Sequence, residues 1–132
     1  MTSIGNSHKR IDALDKVTGK AEYSGDISAP DQLHLKILFA GRPLAIVKSI
    51  ETQQAEALAG VVLVLTAADV PVNEYGLQIN DQPVLCGPGS KIPYADRVRF
   101  VGDQVAAVVA ESEKIASAAC DLIKVEYEDL PT

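Results

Sequence analysis

The chain has 132 residues, enough for one domain with a buried core. Its composition, 47% hydrophobic and 23% charged, is that of a globular protein and excludes a disordered one. Twelve Lys and Arg against 18 Asp and Glu give a formal net charge of −6 with no basic run longer than Lys9-Arg10, which excludes a phosphate-neutralising stripe and with it nucleic acid as a partner.

Residues 1–19 show no sustained period, and Gly5, Asn6, Ser7 and Gly19 punctuate them, so they read as an irregular N-terminal arm. No apolar segment precedes Lys9 and Arg10, so no secretory signal is expected and the cytoplasm is the expected compartment. Leu33, Leu35, Ile37 and Phe39 alternate with His34, Lys36, Leu38 and Ala40, the period of a half-buried strand. A turn at Gly41-Arg42-Pro43 leads to a second strand, Ala45 to Ile50. Thr52 can cap a helix running to Ala59, with Ala55, Leu58 and Ala59 on one face and Gly60 at its C-terminal end. Val61 to Leu65 follows as a buried strand. A loop-rich stretch, Pro71 to Asp96, holds Pro71, Gly76, Pro83, Gly87, Pro88, Gly89 and Pro93. A connection that long in a small domain is functional or held from outside.

Val105 to Ala110 reads as a strand buried on both faces. Ser112 can cap a second helix whose apolar positions are Ile115, Ala119, Leu122 and Ile123, and Glu111 and Glu113 suit the positive end of its dipole. Lys124 to Tyr127 is the last strand. Strand, short helix and strand thus recur at 45–65 and 105–127. The predicted class is α+β: two short helices on one face of a mixed sheet, with a long central loop, in one domain over 1–132. No apolar run approaches the ~20 residues that cross a bilayer, so no membrane association is expected.

The residues themselves carry no convincing active site. His8, His34, Cys86 and Cys120 lack metal-ligand spacing, His34 alternates with the apolar face of its strand and so reads as solvent-facing, and the two cysteines read as free thiols rather than a disulfide framework. Cys86 lies in a glycine-rich loop, but no basic residue before Lys91 depresses its pKa. No Gly-x-Ser-x-Gly elbow occurs. Gly87-Pro88-Gly89-Ser90 precedes no helix, and its proline lacks an N–H, so it makes a poor phosphate cradle. The carboxylates of 111/113 and 126/128/129 read as solvated faces.

The order of segments nevertheless resembles a known family. Arg10, Asp12, Lys16, Thr18-Gly19, Ala21 and Tyr23, followed by Asp26, are similar to the pattern R-x-D-a-x-x-K-v-T-G-x-A-x-Y that opens the molybdopterin-binding subunit of the xanthine dehydrogenase/aldehyde oxidase family. Four later segments resemble that family in the same order: Ala55 to Thr66 with Asp69-Val70-Pro71, then Asn80-Asp81-Gln82-Pro83-Val84-Leu85, then Val98 to Ala110, then Ile123 to Pro131. One segment departs from it. Where the family often has R-S-p-x-A-h-A, this chain reads Phe39-Ala40-Gly41-Arg42-Pro43-Leu44-Ala45.

The resemblance implies the α/β-hammerhead domain that begins these subunits. It implies an oxidoreductase of the xanthine or aldehyde type, of which this chain is a non-catalytic structural part, a fragment or truncated subunit that is inactive alone. No catalytic, cofactor or metal residue is carried over onto it. Molybdopterin, iron–sulfur clusters and, in many relatives, FAD belong to the full enzyme. The implied partners are downstream molybdopterin-binding domains and iron–sulfur and FAD subunits or domains. The resemblance also places Glu74, Tyr75, Gly76 and Leu77 at the mouth of a substrate funnel. The alternative is a stand-alone binding or assembly module that keeps the fold without the enzyme.

Overall fold

The computed structural model describes residues 4–132, which form two units, one up to Gln32 and one from Leu33 to Thr132. The first unit contains a five-residue helix, α1 (Ala13–Val17), inside the stretch read as irregular. So few residues give no periodic signal, and the helix buries none of its side chains. Local polar contacts hold it instead. Asp12 pairs with Arg10 and, at 2.7 Å, with Lys16, and these cations keep its carboxyl below the usual range. Thr18 closes the helix by donating its N–H and its hydroxyl to the Leu14 carbonyl, at 3.0 and 2.7 Å.

In the second unit the elements are β1 (His34–Phe39), β2 (Ala45–Glu51), α2 (Gln53–Glu56), β3 (Val61–Leu65), β4 (Arg97–Val98), β5 (Gln104–Ala110), α3 (Glu113–Leu122) and β6 (Lys124–Asp129). The α+β class and the strand–helix–strand order are as the sequence predicts. The single mixed sheet is not. All ladders are antiparallel, in two three-stranded sheets ordered β1-β5-β3 and β4-β2-β6. The reason is legible in β6, where Val125 and Tyr127 face inward and Lys124, Glu126 and Glu128 face water. A strand with one wet face suits an antiparallel sheet. A parallel crossover buries both faces.

The first sheet is built around β5. Its residues Ala106, Val108 and Ala110 pack with Val64 of β3 against Ala116, Ala119 and Cys120 of α3 and Ala55 of α2. The helix meets the sheet through alanines, so backbone and sheet approach closely and small side chains fill the gap. Ser112 caps α3 by accepting from the Ile115 N–H at 3.3 Å, as its position predicts. A second cluster joins Ala40, Ala45, Val47, Cys86, Val98 and Val105, and Ile50 and Val125 pack against both clusters.

Three local expectations need correcting. The helix predicted over 52–59 shortens to α2 at its C-terminal end, where the Leu58 N–H donates to the Ala55 carbonyl at 3.2 Å instead of continuing the helical pattern; at its start the Thr52 hydroxyl does not cap it and donates to the Glu56 carboxylate at 2.5 Å. Gly60 does end this segment, at φ +87°, and a Cβ there would lie 2.7 Å from Ile115 Cδ1. Strand β3 is not buried throughout. It is an edge strand, and Val62 and Leu63 are exposed. In β1 the inward face is the one with fewer large apolar groups. Its residues His34, Lys36 and Leu38 stand opposite Ala110, Val108 and Ala106, the β5 face that α3 covers, so His34 is half-buried rather than solvent-facing. Leu35 and Phe39 are left exposed.

Val108 is fully buried in the α3-facing cluster. Val108→Asp should therefore lower stability by about 4 kcal/mol or more in urea denaturation, because the carboxylate has no partner there. Gly60→Ala should lower it by about 1–3 kcal/mol in the same assay, through its positive φ and the contact with Ile115.

Candidate functional site

The long connection between β3 and β5 is organised from its base outward. Asp69 accepts from the Thr66 N–H at 2.8 Å and the Thr66 hydroxyl at 2.7 Å, which turns the chain at the end of β3. Asn73 is the buried polar residue of the core. Its Nδ2 donates to the Leu85 carbonyl and its Oδ1 accepts from the Leu85 N–H, both at 2.8 Å. One side chain thus satisfies both backbone groups of a buried leucine and pins the two arms of the loop together.

Beyond this clamp the loop closes again. Tyr75 and Gln82 pair as an isolated antiparallel bridge, with N–H to carbonyl distances of 2.8 and 3.2 Å. Gly76 is required at the bend, since a Cβ there would fall 1.8 Å from the Ile79 carbonyl oxygen. Glu74, Tyr75, Gly76 and Leu77 thus lie at this bend of the loop. Leu77 is fully exposed and Tyr75 half-exposed, so neither caps the core.

Tyr75 also lines a cavity of about 380 Å³ together with Asp81, Gln82, Pro83, Cys86, Arg99, Phe100 and Asp103. Asp103 shapes the far wall by accepting from the N–H groups of Arg99, at 2.5 Å, and Phe100, at 3.3 Å. Sequence reasoning singles out neither Asn73 nor the wall at 99–103 as part of a site. A lone Asn between Val72 and Glu74 carries no periodic or motif signal, and its role depends on Leu85, 12 residues away.

Chemically the cavity is quiet. Burial, with a further contribution from Asp103, pushes the Cys86 thiol up to about 12, so it stays protonated and is no nucleophile at neutral pH. Cys120 is likewise raised by burial, and both thiols are free. Gly87 N–H donates to the Ala95 carbonyl at 2.9 Å, Pro88 has no N–H, and the Ser90 hydroxyl accepts from Ile92 N–H at 3.3 Å. Among the described residues no three His, Cys, Asp or Glu form a group that could hold a metal ion. The acidic runs serve the surface: Glu128 pairs with Lys48, Glu126 accepts from the Ser49 hydroxyl at 3.2 Å, and Glu113 lies 3.7 Å from Lys36.

The fold identifies the chain where the chemistry does not. Residues 18–131 match the family described as aldehyde oxidase and xanthine dehydrogenase, a/b hammerhead domain. The chain belongs to this family. Among its relatives is a probable xanthine dehydrogenase subunit of Bacillus subtilis (strain 168), 47% identical over 125 residues, covering 94% of this chain and 16% of that protein. The crystal structure of quinoline 2-oxidoreductase from Pseudomonas putida 86 superposes with a TM-score of 0.84 at 37% identity, over 98% of this chain and 17% of that one. The Cu,Mo-CO dehydrogenase in its carbon monoxide reduced state matches with the same TM-score at 34% identity, over 96% and 16%. The hammerhead domain thus spans about a sixth of the length of these relatives. No helix among its described residues is long and apolar enough to cross a membrane.

The hammerhead's Cys86 gives a pH test. The folded thiol titrates near 12 against an ordinary 9.0, so the folded protein retains a proton that the unfolded chain releases. Its contribution to stability is full below pH 9 and is lost as pH rises from 9 toward 12. The urea midpoint of the wild type should therefore fall more between pH 8 and pH 10.5 than that of Cys86→Ala; equal falls would show the thiol is not buried as described. In the same assay Asn73→Ala should cost about 2 kcal/mol or more, because it orphans two buried backbone groups.

Proposed function

We propose that this chain is a non-catalytic structural domain of a molybdopterin-dependent hydroxylase, and that residues 1–132 carry one hammerhead module. The observation that carries this reading is the family match across 18–131 in a chain that spans about a sixth of its relatives' length. The chemistry then belongs to the part of the enzyme beyond this module. That part would use molybdopterin, with iron–sulfur clusters and FAD on partner domains or subunits, to oxidise a heteroaromatic or aldehyde substrate with water as the oxygen donor. The relatives' names support the class: a xanthine dehydrogenase subunit, a quinoline oxidoreductase and the large molybdopterin subunit of a nicotinate dehydrogenase. The cytoplasm is the compartment this reading gives.

Within that assembly the bend at Glu74, Tyr75, Gly76 and Leu77 borders the substrate funnel. Its support is physical. An apolar side chain held fully exposed on a clamped loop is better explained by a contact outside the domain than by the domain's own core.

The reading is tested with the isolated chain and with a chimera in which it replaces the matching residues of the Bacillus subtilis protein. The isolated chain should contain no stoichiometric molybdenum and oxidise neither xanthine nor an aldehyde, whereas the chimera should load molybdenum. Molybdenum in the isolated chain, or a folded chimera that stays empty, would overturn it. Tyr75→Ala with Leu77→Ala should change the isolated chain's stability by less than about 1 kcal/mol. The same pair should shift KM or substrate preference in the chimera. A large stability loss with unchanged kinetics would remove the funnel assignment.

A further inference from the structure

The two sheets differ in how their outer faces are dressed. On the second sheet the outward side chains include Lys48, Ser49, Lys124, Glu126 and Glu128, tied by the Lys48–Glu128 ion pair and the Ser49–Glu126 hydrogen bond. Water suits that face. The first sheet has one face under α3, and its other face is set by register. Leu35 stands opposite Val109, which stands opposite Leu63; one step along, Ile37 stands opposite Ala107. Phe39 continues the same side of β1 past a register shift, where it stands opposite Gln104 at the edge of the patch. These six residues are all apolar. Leu35 is 59% exposed, Phe39 55% and Leu63 47%. The row runs across all three strands with no charge to break it. A contiguous apolar patch of this kind marks an interaction surface rather than a tolerated exposure.

We infer that this open face of β1-β5-β3 is the surface on which the remainder of the same polypeptide packs in the full-length subunit. This rests on the proposed function, since it takes the chain to work inside a longer protein. Two observations favour that occupant. The relatives have about five-sixths of their length outside the segment this chain matches, and a covalently continuous partner acts at an effective concentration that a separate molecule does not reach. The six residues are all apolar, so the face suits an apolar, permanently buried contact rather than a transient polar one. The occupant's chemistry follows: an aliphatic or aromatic surface, flat enough to lie on a twisted three-stranded sheet.

Single cysteines at Leu35 and Leu63 test this, in the isolated chain and in the chimera described above. Cys86 and Cys120 are buried and supply the background. A small maleimide should modify both new thiols rapidly in the isolated chain and about tenfold or more slowly in the chimera, since thiol reactivity follows access. Leu35→Lys with Leu63→Lys should leave the isolated chain folded by circular dichroism but prevent the chimera from accumulating as a soluble protein. Equal modification rates in a chimera that loads molybdenum would overturn the face assignment and leave the proposed function standing. Equal rates in a folded chimera that stays empty would overturn both. An isolated chain that dimerises, is made monomeric by the lysine pair and remains fast-reacting in the chimera would assign the face to a second copy and overturn the proposal.

Discussion

The contact between the alanine stripe of α3 and strand β5 is the constraint on which the rest of this domain depends. Ala116 and Ala119 reach Ala106, Val108 and Ala110 because none of these side chains is larger than valine. Once α3 lies there, the sheet has an inside and an outside. Leu38 and Val64 turn inward, and Leu35 and Leu63 turn out. Their own hydrophobicity does not make that choice, since leucines occupy both sides of β1. It is made by the element that covers one face.

The same strand links the first sheet to the second cluster. Val105, at the start of β5, packs with Val47, Val98 and Cys86, and Ile50 and Val125 touch both clusters. Cys86 therefore ties the long loop into that cluster and lines the same cavity as Tyr75. Burial, which removes the thiol from chemistry, is also what anchors that loop. The backbone agrees: Cys86 N–H donates to the Gln104 carbonyl at 2.6 Å, tying the loop to the first residue of β5. The cysteine that the sequence reads as an unactivated loop thiol is a buried member of the second cluster.

That division of labour suits a module inside a larger enzyme. The buried parts are built from small apolar residues and one asparagine clamp. The exposed parts comprise a solvated charged sheet face, an apolar sheet face and an apolar loop bend. Rigid support beneath an exposed loop is the usual arrangement by which a scaffold presents recognition groups. Here, that support is the Asn73–Leu85 clamp and the β5 anchor.

Much of this was legible in the sequence. Strands β1, β2, β3, β5 and β6 lie within a few residues of the alternating or continuous apolar runs, because a strand's period is local and needs only its own residues. The Ser112 cap and the Gly60 stop are local for the same reason. Motif order over the whole chain pointed to the hammerhead family even though no residue pattern pointed to a site. What the tertiary structure alone decided is relational. The split into two antiparallel sheets depends on which strands meet. The pairing of Asn73 with Leu85 spans the loop and leaves no mark on either neighbourhood. In β1, periodicity shows that Leu35, Ile37 and Phe39 share a side but carries no sign saying which side is inside. That sign came from α3, which packs on the Ala106, Val108 and Ala110 face of β5, and it left the larger apolar groups in the open.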